Sequence, residues 1–197
     1  MRLIKKFFLV LFVFSLILGV NRVDASVESV ENGEELAHIK RLAIAFPEYT
    51  KAYEKEPNID EFINLIYEAG KVSRSYIISY DEVASRIKGD TGVDIKIIQK
   101  MTSPDSFKQR MEARKVFRDQ IYKFADGYVV VTVANNSRVT LFFNVYAVNS
   151  NERVYCFQVS GSKEDYSKNG KAYKALAEQF FRAFDKAAQT EMKKNKD

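Results

Sequence analysis

Few residues in this chain have the chemistry for a reaction: one cysteine, Cys156, one histidine, His38, and two adjacent acidic pairs, Asp60-Glu61 and Asp81-Glu82. A zinc site needs several converging His, Cys or carboxylate ligands, so one His and one Cys argue against a metal, and no cofactor is expected. Cys156 stands in Val154-Tyr-Cys-Phe-Gln-Val159, a strand-like run that suits a small buried thiol better than a thiolate nucleophile. His38 lies in a polar segment with no Ser or Cys motif beside it, the setting of a solvated imidazole and not of a general base. The acidic pairs could do acid–base work, but each falls in the first turn of an expected helix, where negative charge suits the helix dipole. Neither G-x-S-x-G nor a phosphate-cradling glycine motif occurs. No catalytic residue is assigned, and a non-enzymatic role is expected.

The elements that would position a site are more legible. Arg41-Leu-Ala-Ile-Ala-Phe46, stopped by Pro47, reads as a buried strand. Asn58 and Glu61 have the spacing of a capping box before a helix to Ala69 with Gly70 as its left-handed stop. Ser75 to Ser79 reads as a second strand, and Ser79 and Glu82 repeat the cap before a helix ending at Gly89. Strand, helix, strand over about 40 residues implies a right-handed crossover between parallel strands. Residues 89–103 stay unassigned, since 93–98 alternate like a strand yet also fit a short helical turn. Ser103-Pro-Asp105 opens a helix carrying Phe107, Met111, Phe117, Ile121 and Phe124. Three strand-length runs, 128–134, 139–148 and 154–160, are separated by turn-forming Asn and Ser and predict an antiparallel meander. The last helix, from Tyr173 to about Met192, holds an apolar face over Leu176, Ala177, Phe180, Phe184 and Ala187 and should lie on the sheet.

The chain starts with Arg2, Lys5 and Lys6, runs uncharged from Phe7 to Val20, and reaches Val23-Asp24-Ala25, the pattern of a secretory signal peptide over residues 1–25. The fourteen-residue run is short of the roughly 20 residues that span a bilayer. A retained anchor is thus the minor alternative, and no stable anchor is expected after cleavage. Removing that segment takes away four basic residues and one acidic, lowering the net charge from +5 to +2. The remaining Lys and Arg are interleaved with Asp and Glu, which argues against a nucleic-acid surface. One cysteine cannot form an intramolecular disulfide, so the core must hold the fold. The organisation expected is a flexible lead over 26–39, one α/β domain over 40–192, and a basic tail over 193–197.

The hairpin 129–148 poses its own question, since its two apolar runs suit either a membrane-inserting hairpin or the middle of a soluble sheet. Closed membrane barrels need eight or more strands and this chain offers five or six, which favours the soluble sheet unless protomers pool their hairpins. Leu141, Phe143, Val145 and Ala147 should face one side of their strand, and Phe142, Asn144, Tyr146 and Val148 the other.

A ligand site on parallel strands is expected at their carboxyl ends. Those ends are Phe46-Pro47-Glu48-Tyr49 and Ser79-Tyr80-Asp81, so Glu48, Tyr49, Tyr53, Tyr80 and Asp81 are the candidate binding residues. The tyrosines offer an apolar ring with a polar tip, suited to a protein or a glycan.

The order of Arg41–Phe46, helix, Tyr76-Ile-Ile-Ser-Tyr-Asp-Glu-Val83, helix, Ala125-Asp-Gly-Tyr-Val-Val-Val-Thr-Val133, meander and helix resembles bacterial envelope domains. These are the type at the amino terminus of TolB, in the curli-secretion lipoprotein CsgG and in outer-membrane activators of penicillin-binding proteins, and the chain is also similar to uncharacterised exported bacterial proteins. The resemblance implies a mixed α/β fold and a periplasmic role in binding an envelope protein or cell-wall component. The lipoproteins' lipidated cysteine has no counterpart here, so outer-membrane anchoring and pore formation do not carry over. The alternatives are a small exported enzyme with a site of dispersed carboxylates and tyrosines, and an oligomeric membrane-associated hairpin protein.

Overall fold

The computed structural model describes residues 26–135, 138–162 and 170–195. A six-stranded mixed sheet runs in the order β1-β6-β5-β4-β2-β3. Its strands are β1 (Val27–Val30), β2 (Arg41–Ile44), β3 (Tyr76–Ile78), β4 (Gly127–Asn135), β5 (Arg138–Ala147) and β6 (Arg153–Ser162). β2 pairs in parallel with both β3 and β4, whereas the β4–β5–β6 meander and β1 pair antiparallel. The helices are α1 (Gly33–His38), α2 (Ile59–Gly70), α3 (Tyr80–Thr91), α4 (Ile95–Gln99), α5 (Phe107–Ile121) and α6 (Gly170–Lys194), with a 3₁₀ turn at Pro104–Ser106 before α5. Two successive crossovers put α2 on one side of the parallel strands and α3 to α5 on the other, with α6 and α1 on the α2 side.

The fold is therefore one mixed α/β domain with its C-terminal helix on the sheet. Period-two alternation in β5 buries Val139, Leu141, Phe143, Val145 and Ala147. Phe143 stacks on Phe180 of α6 with ring centroids 4.3 Å apart, and Tyr155 and Phe184 extend the cluster. The hairpin 129–148 is thus the centre of the sheet, its apolar side closed by α6. Residues 136–137 of its turn lie outside the described residues, as do the signal segment 1–25 and residues 196–197 of the basic tail. Lys193 and Lys194 belong to the last turn of α6.

Several expectations are corrected. The segment 26–39, expected as a flexible lead, forms β1 and α1. β1 pairs with β6, Asn32 caps α1 by accepting from the Glu35 amide, and Leu36, Ala37 and Ile39 are buried. The charge that made this segment look solvated lies on Glu28, Glu31, Glu34 and Glu35, while its apolar residues are spaced to reach α6. Gly70 is helical and not a left-handed stop; a Cβ there would come within 3.0 Å of Ile77 and 3.2 Å of Phe181, so its smallness admits a close approach. α3 runs past Gly89 to Thr91, and Gly92 supplies the left-handed end with φ of 75°. Within the unassigned residues 89–103, Ile95–Gln99 form helix α4, capped by Asp94 accepting from the Ile97 amide. The predicted capping box at Asn58 and Glu61 is present in full.

Candidate functional site

α5 is held beside the sheet by Ala113, Phe117 and Ile121, three buried residues at helical spacing, with Phe117 edge-on to Tyr128 of β4 at 5.6 Å. It covers the parallel strands only. Farther along the same side, Phe142, Asn144, Cys156, Gln158 and Ser160 of β5 and β6 are half-buried, and no helix packs over them among the described residues. Where α5 meets this bare side, a cleft of about 220 Å³ opens, lined by Phe46, Glu48, Gln99, Arg114, Phe117, Arg118, Tyr128, Val130 and Tyr146.

Local structure places each polar group. Beyond Pro47 the chain rejoins the edge of β4: the Glu48 amide donates to the Val131 carbonyl at 2.8 Å and the Val133 amide to the Glu48 carbonyl at 3.0 Å. This fixes the Glu48 carboxylate between Arg114, 3.2 Å away, and the Thr132 hydroxyl, 3.3 Å away. Arg114 and Arg118, one turn apart on α5, both line the cleft, and Arg118 has no ion pair among the described residues. Tyr128 and Tyr146, directly paired across β4 and β5, stack at 5.1 Å, and the Tyr128 hydroxyl donates to the Asn151 side chain at 2.6 Å. Burial pushes the Tyr128 phenol up to about 12, nearby Tyr146 acting the same way and the Arg118 charge opposing it. At the cleft's inner end Gln99 is only 6% exposed, and its Oε1 accepts from the Tyr80 hydroxyl at 2.5 Å.

The five sequence-predicted binding residues are not brought together. Glu48 alone lines this cleft. Tyr49 stacks on Phe62 of α2 at 4.4 Å and donates to the Pro57 carbonyl at 2.6 Å, on the other side of the sheet. Burial, then the Glu56 and Glu61 charges, push its phenol up. Tyr80 is fully buried beneath Gln99, its phenol likewise raised by burial, and it supports the cleft without lining it. Asp81 is exposed and paired with Lys96 at 2.6 Å, and Tyr53 sits in the outer loop at 37% exposure. The carboxyl-end rule finds Glu48 but not its partners, which come from α4, α5, β4 and β5. One signal could have found them: Arg110, Arg114 and Arg118 form a four-residue ladder along α5 beside Phe117.

Cys156 is half-buried on the bare side of β6, a correction to the buried thiol expected, because the strand turns it away from the α6 face. His38 borders a separate cavity of about 310 Å³ with Glu35, Arg41, Tyr122 and Asp126. There Arg41 pairs with Asp126 at 2.8 Å, and the Lys40 and Arg41 amides donate to the other carboxylate oxygen at 3.1 and 2.8 Å. Burial alone would raise the Asp126 carboxyl; the Arg41 side chain and the two amides outweigh it and hold the group below the usual carboxylate range. Among the described residues no group of His, Cys, Asp or Glu is placed to hold a metal ion, and no helix is long and apolar enough to cross a membrane.

No family model and no curated protein matches this chain. Among solved structures it is similar to the PelC dodecamer from Paraburkholderia phytofirmans, at 10% identity and a TM-score of 0.42, covering 82% of this chain and 98% of that one. It is similar also to the LpoB C-terminal domain from Escherichia coli, at 15% identity and 0.40, covering 62% and 82%. The hypothetical protein CT253 from Chlamydia trachomatis aligns at 15% identity and 0.36, covering 77% and 95%. At these values the likeness is to an α/β architecture in general.

Proposed function

We propose that the chain is an exported, non-enzymatic domain of the bacterial cell envelope that binds an envelope protein or cell-wall component through the bare side of β5 and β6 and the cleft beside it. The observation that carries this reading is the asymmetry of the sheet. One side of β5 is sealed by α6, while the other presents Phe142, Asn144, Tyr146, Cys156 and Gln158 in adjacent, partly buried rows over which no helix packs among the described residues. A row of aromatic and amide side chains on a rigid antiparallel ladder offers both apolar contact and hydrogen bonds to a partner at little ordering cost. Export is supported by the basic start, uncharged run and Val23-Asp24-Ala25 of the sequence.

The test places a photoreactive amino acid at Phe142 or Gln158, and at the solvent-exposed Lys186 of α6 as control, in the full chain expressed in a bacterium with an outer membrane. The expected outcome is a protein beginning at Ser26 in the periplasmic fraction and a discrete adduct, to one envelope protein or to the cell wall, from the sheet positions only. Retention in the cytoplasm with residues 1–25 attached, or equal labelling from Lys186, would overturn the reading.

A further inference from the structure

The cleft between α5 and the sheet contains a polar group that the fold leaves unfinished. Gln99 is more than nine-tenths buried, yet its amide makes a single hydrogen bond, with the Tyr80 hydroxyl. Tyr80 is itself fully buried and has no other hydrogen-bond partner among the described residues, so its proton must go to the amide oxygen. That orientation leaves the Gln99 NH2 as a donor without an acceptor among the described residues, on a residue that lines the cleft. In the same lining Arg118 brings a guanidinium without an ion pair among the described residues, and Arg114 brings a second whose charge Glu48 offsets. The charged residues of the cleft thus sum to one net positive charge. The remaining lining is aromatic and aliphatic, Phe46, Phe117, Val130 and the Tyr128–Tyr146 stack, except for the Asn151 amide, whose oxygen is taken by the Tyr128 hydroxyl.

We propose that this cleft is a binding site for a single carboxylate joined to a flat apolar group, the acid seated on Arg118 and the Gln99 amide and the apolar group against the aromatic lining. A carboxylate is planar and acceptor-only, which matches a guanidinium fork and an amide NH2. A phosphate dianion is disfavoured, because Glu48 lies in the same cleft and would repel the second charge. The size agrees: about 220 Å³ is below the roughly 300–1,000 Å³ of clefts that hold drug-sized molecules, so one ring with its acid fills it. The same chemistry is carried by a free aromatic acid and by the C-terminal residue of a peptide. This assignment rests on the binding role proposed above, of which it names the anchoring contact.

The experiment is a titration of the full mature chain, followed by the amide NMR signals of Gln99 and of the strands beside it. The probes are benzoate, its neutral counterpart benzamide, inorganic phosphate, N-acetylphenylalanine and N-acetylphenylalanine amide. The acids are expected to bind at least tenfold more tightly than their amides and than phosphate. Tighter binding of N-acetylphenylalanine than of benzoate identifies a peptide terminus as the source, and the reverse order a free acid. Arg118→Gln, on an exposed side chain, is expected to keep the melting temperature and to weaken the acids at least tenfold. Acids and amides binding alike, acids binding unchanged in Arg118→Gln, or no shift at Gln99 with any probe would each overturn the proposal. If the site fails in this way while the cross-link from Phe142 persists, the binding role stands and only its anchor is wrong.

Discussion

Adjacent residues of β5 belong to two different worlds. Phe143 is fully buried against Phe180, while Phe142, one position earlier, points to the side that no helix covers among the described residues and stays partly buried. The covered side is saturated: aromatic rings meet aromatic rings, and its buried carboxylates have partners, Asp185 accepting from the Ser73 hydroxyl at 2.8 Å and the Arg74 amide at 2.7 Å, and Glu56 from the Tyr173 hydroxyl at 3.2 Å and the Ala52 amide at 2.6 Å. The α5 side is left with surplus capacity, since among the described residues the Gln99 NH2 has no acceptor and the Arg118 guanidinium no ion pair. One side of the sheet makes the domain stable, and the other is where the binding role is proposed.

Truncating the two phenylalanines separately is the sharpest test of this contrast. Phe143→Ala removes a ring from a close-packed cluster and is expected to cost about 3–5 kcal/mol in urea unfolding, with little room for the site to collapse around α6. Phe142→Ala should cost about 1 kcal/mol or less. Equal losses would mean that the bare side is packed in solution, by a second copy or by another part of the chain, and would erase the distinction.

The polar contacts on each side give the next two effects. Asp185→Ala leaves the Arg74 amide and the Ser73 hydroxyl without their acceptor at the α6 seam, and about 1–3 kcal/mol should be lost. Tyr80→Phe removes the donor to Gln99 beneath the cleft. The amide oxygen then turns to water entering the cleft, so the loss should be about 1 kcal/mol and carboxylate binding should weaken as the amide loses its fixed orientation. A larger loss for Tyr80→Phe than for Asp185→Ala would show the cleft to be the more tightly built of the two.

How much of this was legible in the sequence follows from what each signal measures. Alternation in 139–148 and the four-turn face of 173–192 record burial directly, so the meander, the helix over it and the two sides of β5 could be read before any coordinates. The capping box of Asn58 and Glu61 is a local arrangement and was equally clear. β1 was not, because four residues, all exposed on an edge strand, carry no burial pattern and owe their conformation to pairing with β6, more than 120 residues away. The cleft was hidden for the same reason. Gln99 owes its significance to Tyr80 below it and Arg118 beside it, contributions from three helices that only the second crossover brings together, and of the candidate residues only Glu48 lay at a strand end that points there.

The smallest effect concerns the two halves of the sheet and what pH does to each. β4 and β5 are joined by a main-chain ladder of nine residue pairs, which has no titrating group. The amino-terminal ends of β2 and β4 are instead tied by a carboxylate, since Asp126 takes the Lys40 and Arg41 amides and the Arg41 guanidinium. The folded protein holds the Asp126 pKa below its unfolded value of about 3.9, so the contribution to stability is complete above that value and is lost as pH falls through the folded pKa. Partial exposure of both side chains keeps the contribution modest. Hydrogen exchange on lowering the pH below about 4 should therefore lose protection first at the Lys40 and Arg41 amides, with the β4–β5 ladder unchanged, and Asp126→Asn should flatten that acid dependence. Simultaneous loss in both halves would show that the parallel seam does not open on its own, and that the two halves of the sheet respond to acid as a single cooperative unit.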